Sequence, residues 1–202
     1  MIRVAVFVSG RGSNLEAILN SPKLKKLVIV KAVISDDAEC PAFEIAKKNS
    51  IDTYNVGKQE NFIHYSDLAE FLKSLDIGLI VLAGFLKMFP ETVIKNFNNR
   101  IINIHPALLP SFGGKGMYGM NVHKAVYNSG AKVSGATVHF IDEAYDEGKI
   151  IAQKKVDISD VKFPEQIAER VLKIEHELLP FVIEKFARNQ ITVEKNRIIL
   201  LR

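Results

Sequence analysis

The run Ile77-Gly78-Leu79-Ile80-Val81-Leu82-Ala83 is apolar at every position except Gly78. A strand with one face in water alternates apolar and polar residues, whereas an unbroken apolar strand needs cover on both faces, as in parallel sheets flanked by helices. Arg3 to Val8 is a compact apolar run and Leu27 to Ile34 a second, β-branched one interrupted by Lys31. Between these runs lie segments with helical spacing: Asn14 to Leu19, Pro41 to Lys48 and Tyr65 to Leu75. The last carries Leu68, Phe71, Leu72 and Leu75, three and four residues apart. A short strand around Asp52 to Val56, a helix opened by Pro90 and a strand at Ile101 to Ile104 continue the alternation. The pattern predicts an α/β fold: a doubly wound, mostly parallel sheet with helices on both faces.

After Pro110 the texture changes. Ser111 to Gly119 contains four glycines and reads as a loop, followed by a helix over Val122 to Asn128. Two strands, Val133 to Ile141 and Lys149 to Asp157, are joined through an acidic segment, Asp142 to Gly148. Pro164 opens a long helix to about Arg188, with a bend expected at Pro180, which lacks a backbone donor. Ile191 to Leu201 closes the chain as strand-like material. No repeat, low-complexity tract or linker interrupts residues 1–202, so one domain is expected.

Composition excludes several function classes. No window approaches the roughly 18 consecutive apolar residues of a membrane span. Met1 to Val6 reads as a strand and not as a cleavable leader, which points to the cytoplasm. Cys40 is the single cysteine and precedes Pro41 at a helix start, a structural position. There is thus no internal disulfide or thiolate metal site, and the five histidines form no metal-ligand spacing. The net charge of +4 comes from scattered Lys and Arg, with one short patch at Lys23, Lys25 and Lys26. No nucleic-acid module is present, and a mild positive bias suits small anionic ligands equally well.

Binding sites on doubly wound sheets lie beyond the carboxyl ends of the strands. Gly10, Ala83-Gly84 and Asn103 to His105 all fall at such ends. Ser9-Gly10-Arg11-Gly12-Ser13-Asn14 follows the first strand and opens the first helix, where backbone amides attract a phosphate. A dinucleotide site would add a third glycine and an acid such as Asp36 or Asp37 on a ribose, but the third position is Leu15. A single phosphate held with Ser13 and Asn14 is the first reading, a purely structural turn the second and a dinucleotide the last. Asn103-Ile104-His105-Pro106 sets an amide and an imidazole two residues apart, on one side of a strand end. Such a pair either satisfies the local backbone or serves one group that stabilises an oxyanion and another that moves a proton. Thr137 and His139 share a strand face. Asp146 gains meaning only if its loop folds back over His105, where a carboxylate would raise the imidazole pKa and fix its orientation. Glu175-His176 reads as a solvated helix face or a ligand contact.

Taken in order, Gly-x-Gly-Ser-Asn, Leu82-Ala83-Gly84-Phe85, Asn-Ile-His-Pro-Ala-Leu-Leu-Pro, Thr-Val-His-Phe, Asp-Glu-Gly and Glu-His span almost the whole chain. The sequence resembles the glycinamide ribonucleotide formyltransferases, folate-dependent enzymes of purine biosynthesis. Asn-x-His-Pro…Leu-Pro and Asp-Glu-Gly are shared by users of formyltetrahydrofolate generally, while Gly-Ser-Asn points more narrowly to this group. The resemblance implies a Rossmann-like formyltransferase fold over residues 1–202. It implies that 10-formyltetrahydrofolate is the co-substrate, with no metal, and 5′-phosphoribosylglycinamide is the acceptor. Gly12, Ser13 and Asn14 would hold the phosphate and Glu175 the ribose hydroxyls. Leu86, Lys87, Met88 and Phe89 would border the pterin, with Asn103 beside it and Asp142, Glu143, Ala144, Tyr145 and Asp146 as the opposite wall. Asn103, His105 and Asp146 would be the catalytic trio, supported by Thr137 and His139, with a protonated His105 donating to the oxyanion. Its partners would be these small molecules, in a monomer or homodimer, without nucleic acid or membrane.

The sequence departs from the pattern at Phe62, where many members carry an arginine, and in the longer glycine-rich loop Gly113 to Met120. A formyltetrahydrofolate hydrolase would use the same trio but carry an N-terminal regulatory domain, and a transfer-RNA formyltransferase a C-terminal one; neither is expected here. A non-catalytic nucleotide-binding protein on the same fold is the remaining alternative, since fold alone does not prove chemistry.

Overall fold

The computed structural model describes residues 1–142, 146–195 and 197–201. Strands and helices alternate as the apolar periodicity requires. They are β1 (Ile2–Phe7), α1 (Ser13–Asn20), β2 (Val28–Ser35), α2 (Ala42–Lys48), β3 (Asp52–Asn55), α3 (Leu68–Ser74), β4 (Leu79–Leu82), α4 (Glu91–Asn96) and β5 (Ile101–His105). Then follow α5 (Met120–Asn128), β6 (Val133–Phe140), β7 (Ile150–Asp157), α6 (Pro164–Ala187), β8 (Ile191–Glu194) and β9 (Arg197–Leu200). Seven strands form one mostly parallel sheet in the order β3-β2-β1-β4-β5-β6-β7. The chain divides into two compact units, 1–103 and 104–202.

In the first unit, β1 pairs in parallel with both β2 and β4, and β4 with β5. Val4 to Val8, Ala32 to Ile34 and Leu79 to Val81 are completely buried. Consecutive burial, with no exposed alternate position, is what the unbroken apolar runs require of strands covered on both faces. The carboxyl ends of β1 and β4 are stitched together by Ser9 N–H donating to the Gly84 carbonyl at 3.0 Å.

In the second unit, β6 and β7 form an antiparallel pair against which α6 packs, and α5 packs on α6. The β6–β7 register slips between Val138 and His139, so that Val138 faces Ala152 and His139 faces Ile150. An extra residue on one strand re-aims the neighbouring side chains, and here that neighbour is His139.

Several boundaries differ from the expectation. The helix expected from Tyr65 starts at Leu68, because residues 65–67 form a turn held by Ser66 Oγ, which contacts His64 Nδ1 at 2.8 Å and Asp67 Oδ1 at 2.9 Å. Side-chain bonds of this kind give the backbone an alternative to the helix. Helix α5 begins at Met120, directly after Gly119. Helix α6 keeps the expected bounds within a residue, with Pro180 inside it. The C-terminal strand-like stretch is a hairpin, with Glu194 opposite Arg197.

Candidate active site

In the first unit the loop between β1 and α1 is shaped by Gly12. Its φ of +81° is left-handed, and a Cβ there would lie 2.7 Å from Ala42 Cβ. Only glycine meets both conditions without strain. Gly12 caps α1 without any side-chain bond to the first turn, so the end is built from backbone. The Gly10 carbonyl is tied to the start of α2, accepting from Ala42 N–H at 3.3 Å and Cys40 Sγ at 3.4 Å. That contact gives the buried cysteine its structural role. Asn14 is buried and Ser13 half-buried at this end. Asp36 and Asp37, the acids of the dinucleotide reading, have partners within the chain: half-buried Asp36 accepts from Ser9 Oγ at 2.6 Å, and exposed Asp37 from Glu39 N–H at 3.0 Å.

After β4 the chain presents Leu86, Lys87 and Met88 to solvent, while Phe85 and Phe89 turn inward onto Phe7 with ring centroids 5.4 and 4.9 Å away. A segment anchored at both ends that exposes two large apolar side chains between them is suited to a flat apolar ligand.

In the second unit the loop after β5 is buckled by Thr137. Its hydroxyl donates to the Ala107 carbonyl at 2.6 Å and accepts from Leu109 N–H at 3.0 Å. Gln153 Nε2 adds bonds to the same hydroxyl and to the Leu109 carbonyl, both 2.9 Å. The path of the loop is thereby fixed beneath His105. Asn103 is the last residue of the first unit and lies half-buried on β5.

The Asp146 loop does fold back over His105. Asp146 Oδ2 lies 3.5 Å from His105 Nδ1, and Oδ1 lies 3.5 Å from His139 Nε2. One carboxylate thus lies between two imidazoles, both almost fully buried. Gly114 N–H donates to Asp146 Oδ2 at 3.0 Å. Asp146 has φ +56°, a left-handed conformation that stores strain at the site. Two residues on, a Cβ at Gly148 would run into the Phe140 carbonyl oxygen, so the return to β7 needs glycine. Burial alone would raise the Asp146 pKa. The bond from His139, the charge of His105 and the Gly114 amide outweigh burial, and the net shift is downward, keeping the carboxylate ionised.

His105 behaves otherwise than expected. Burial lowers its pKa more than Asp146 and the Phe112 carbonyl raise it, with His139 adding to the lowering, so it titrates below the ordinary 6.5. Desolvation thus exceeds the carboxylate's attraction and works against the protonated imidazole that the resemblance implied. Its Nε2 lies 2.9 Å from the Phe112 carbonyl, which can only accept, so that nitrogen carries the proton. His139 Nδ1 likewise donates to the Phe140 carbonyl at 2.8 Å.

Glu175, for which a solvated face and a ligand contact were both open, is 8% exposed on the buried stripe of α6. A carboxylate is rarely placed there without a partner. Asp142 is exposed, and the wall residues Glu143, Ala144 and Tyr145 lie outside the described residues. Sequence reasoning passed over His123, buried beside Val122 and Val126 on α5, with no hydrogen-bond partner at Nδ1. Burial and the charge of His105 push its pKa down to about 4. Its signal was a histidine falling inside an apolar helical stripe. Among the described residues, no group of three or more His, Cys, Asp or Glu could hold a metal ion.

Residues 2–183 match the family model described as formyl transferase. The chain belongs to the formyl transferase family. Its likenesses within that family run along nearly all of this chain. It is 40% identical over 204 residues to the chloroplastic phosphoribosylglycinamide formyltransferase of Vigna unguiculata, covering 99% of this chain and 65% of that protein. It thus spans about two thirds of that plant relative's length. Among solved structures, the phosphoribosylglycinamide formyltransferase of Anaplasma phagocytophilum superposes with a TM-score of 0.88 at 33% identity, covering 98% of this chain and 94% of the other. Glycinamide ribonucleotide transformylase 1 of Symbiobacterium toebii gives 0.88 at 34% identity, covering 100% and 95%. No helix among the described residues is long and apolar enough to cross a membrane.

Proposed function

We propose that this formyl transferase family member moves the formyl group of 10-formyltetrahydrofolate to the amine of 5′-phosphoribosylglycinamide, with residues 1–202 acting as one domain. The observation that carries the chemistry is Asp146 between His105 and His139, with Asn103 two residues before His105 on one strand. The family match crosses the boundary between the two compact units, which favours one functional domain. The names of the relatives support the choice of substrates.

The amine nitrogen attacks the formyl carbon, the new C–N bond forms, and the carbonyl oxygen takes up the electron pair as an oxyanion. The Asn103 amide and the His105 Nε2–H donate to that oxygen. The hydrogen bond now made to Phe112 is exchanged for the one to substrate. Collapse of the oxyanion breaks the bond from carbon to the folate nitrogen. The proton lost by the amine reaches that nitrogen by way of the His105–Asp146 pair. An imidazolium formed on the way sits 3.5 Å from an ionised carboxylate, which stabilises it. Preorganised donors of this kind are each worth about 3 kcal/mol of barrier.

Gly12, Ser13 and Asn14 are assigned to the phosphate, and Glu175 to the ribose. Leu86 to Phe89 are assigned to the pterin, together with Asn103, Asp142, Glu143, Ala144, Tyr145 and Asp146. We place the enzyme in the cytoplasm, supported by a single buried thiol and no disulfide, although the plant relative is named as chloroplastic. We take it to act as a monomer or homodimer. The test is to mix the protein with 10-formyltetrahydrofolate, with and without phosphoribosylglycinamide, and to follow formate and formylated nucleotide. Formylated nucleotide that depends on the acceptor supports the proposal. Formate released equally without the acceptor indicates a hydrolase, and no turnover indicates a binding protein.

A further inference from the structure

The exposed Leu86–Met88 segment is held in place by more than its aromatic anchors. Leu86 N–H donates to Ser9 Oγ at 3.1 Å, and Ser9 Oγ donates in turn to Asp36 Oδ1 at 2.6 Å. A serine hydroxyl has one proton and two lone pairs, so the direction of this chain is fixed: amide to hydroxyl to carboxylate. The second bond is short and charge-assisted, the stronger kind. Only 15% of the Asp36 side chain is exposed, and its other oxygen lies 3.9 Å from Lys87 Nζ. Ser9 N–H is committed to the Gly84 carbonyl at 3.0 Å. Backbone and side chain of one residue at the end of β1 therefore grip both sides of Phe85. Asp36, at the end of β2, orients the hydroxyl and tethers the next side chain. Phe7, Phe85 and Phe89 fix the ends of the segment, and the Ser9–Asp36 pair fixes its middle. Neither residue has a catalytic or substrate-binding assignment.

We propose that Ser9 and Asp36 are positioning residues that set the conformation of Leu86 to Met88, and through it the affinity for the formyl folate. The inference rests on the reading of that segment as the folate wall. It predicts a selective effect. A net hydrogen bond contributes modestly to stability, but a segment that must be ordered again on binding loses affinity for the ligand it contacts.

The test varies both substrates in steady-state assays of Ser9→Ala and Ser9→Thr and follows amide exchange at Leu86 by nuclear magnetic resonance. In Ser9→Ala the KM for 10-formyltetrahydrofolate rises on the order of tenfold, while the KM for phosphoribosylglycinamide moves less than about twofold. Exchange at Leu86 accelerates. Ser9→Thr, which keeps the hydroxyl, restores both readouts. Asp36→Asn, which keeps an acceptor but loses the charge, gives a smaller rise in the folate KM. Two results overturn the proposal: equal rises in both KM values with a lowered Tm, or an unchanged folate KM in Ser9→Ala. Leu86→Ala and Met88→Ala separate the two levels. If they raise the folate KM while Ser9→Ala does not, only the positioning role fails. If they too leave it unchanged, the folate-wall reading has failed and the proposal falls with it.

Discussion

The two candidate regions are built from different materials. The Gly12 loop in the first unit is made of backbone: a left-handed glycine packed on Ala42 and a helix end without a side-chain cap. The His105 region in the second unit is made of side chains from β5, β6 and the loop before β7, brought together by a bulge and a left-handed aspartate. A backbone site fails when the chain path changes, whereas a side-chain site fails when one functional group is lost. Binding by the first and chemistry by the second is the division that the following predictions probe.

The largest effect is expected in the second region. Asn103→Ala and Asp146→Asn each lower turnover by roughly two orders of magnitude, about 3 kcal/mol of barrier, with substrate KM values changed far less. Steady-state kinetics checks this, and unchanged turnover removes that residue from the mechanism. In the first region Gly12→Ala brings a Cβ into Ala42 at a left-handed φ and destabilises the fold by about 1–3 kcal/mol. It raises the KM for phosphoribosylglycinamide, while Ser13→Ala, which spares the backbone, does so less. Thermal unfolding and KM measurements separate these outcomes.

The second region was the harder to read in sequence. Strand β4 was legible because burial on both faces leaves no polar position, β1 and β2 because their apolar runs are broken only at Arg3 and Lys31, and Gly12 because its neighbours form a strand-to-helix turn. Asn103 and His105 were legible as a pair because two residues of one strand share a side. The meeting of His105 with Asp146 was not, since it depends on a turn with φ +56° and on Gly148 packing against the Phe140 carbonyl. The His139 register slip has no local signature in Thr-Val-His-Phe. The carboxylate does raise the His105 pKa as read, but the larger lowering by burial is a property of the tertiary fold and was not legible. For Glu175 the sequence left a solvated face and a ligand contact open, because its helix face is covered only in the folded unit.

Acid exposes the same contrast. The folded-state pKa of His123, about 4, lies below the ordinary 6.5, so the unfolded chain binds that proton more tightly. Its contribution to stability is complete above pH 6.5 and drains away as pH falls toward 4. Chemical denaturation across that range shows the slope, and His123→Leu flattens it. For catalysis, the acid limb of kcat/KM lies below the ordinary imidazole range because His105 is lowered. Asp146 raises the His105 pKa, so its removal in Asp146→Asn moves the limb to still lower pH. A limb that stays in place separates the two groups. The smallest effect belongs to Cys40→Ala. It loses one weak 3.4 Å contact to the Gly10 carbonyl, costs on the order of 1 kcal/mol and leaves turnover intact.

The most direct test of the division places Gly12→Ala and Asp146→Asn side by side, with kcat and both KM values measured for each. The expected result is a turnover loss confined to Asp146→Asn and a rise in the phosphoribosylglycinamide KM confined to Gly12→Ala. Equal turnover losses in both variants, with that KM unchanged, would contradict it.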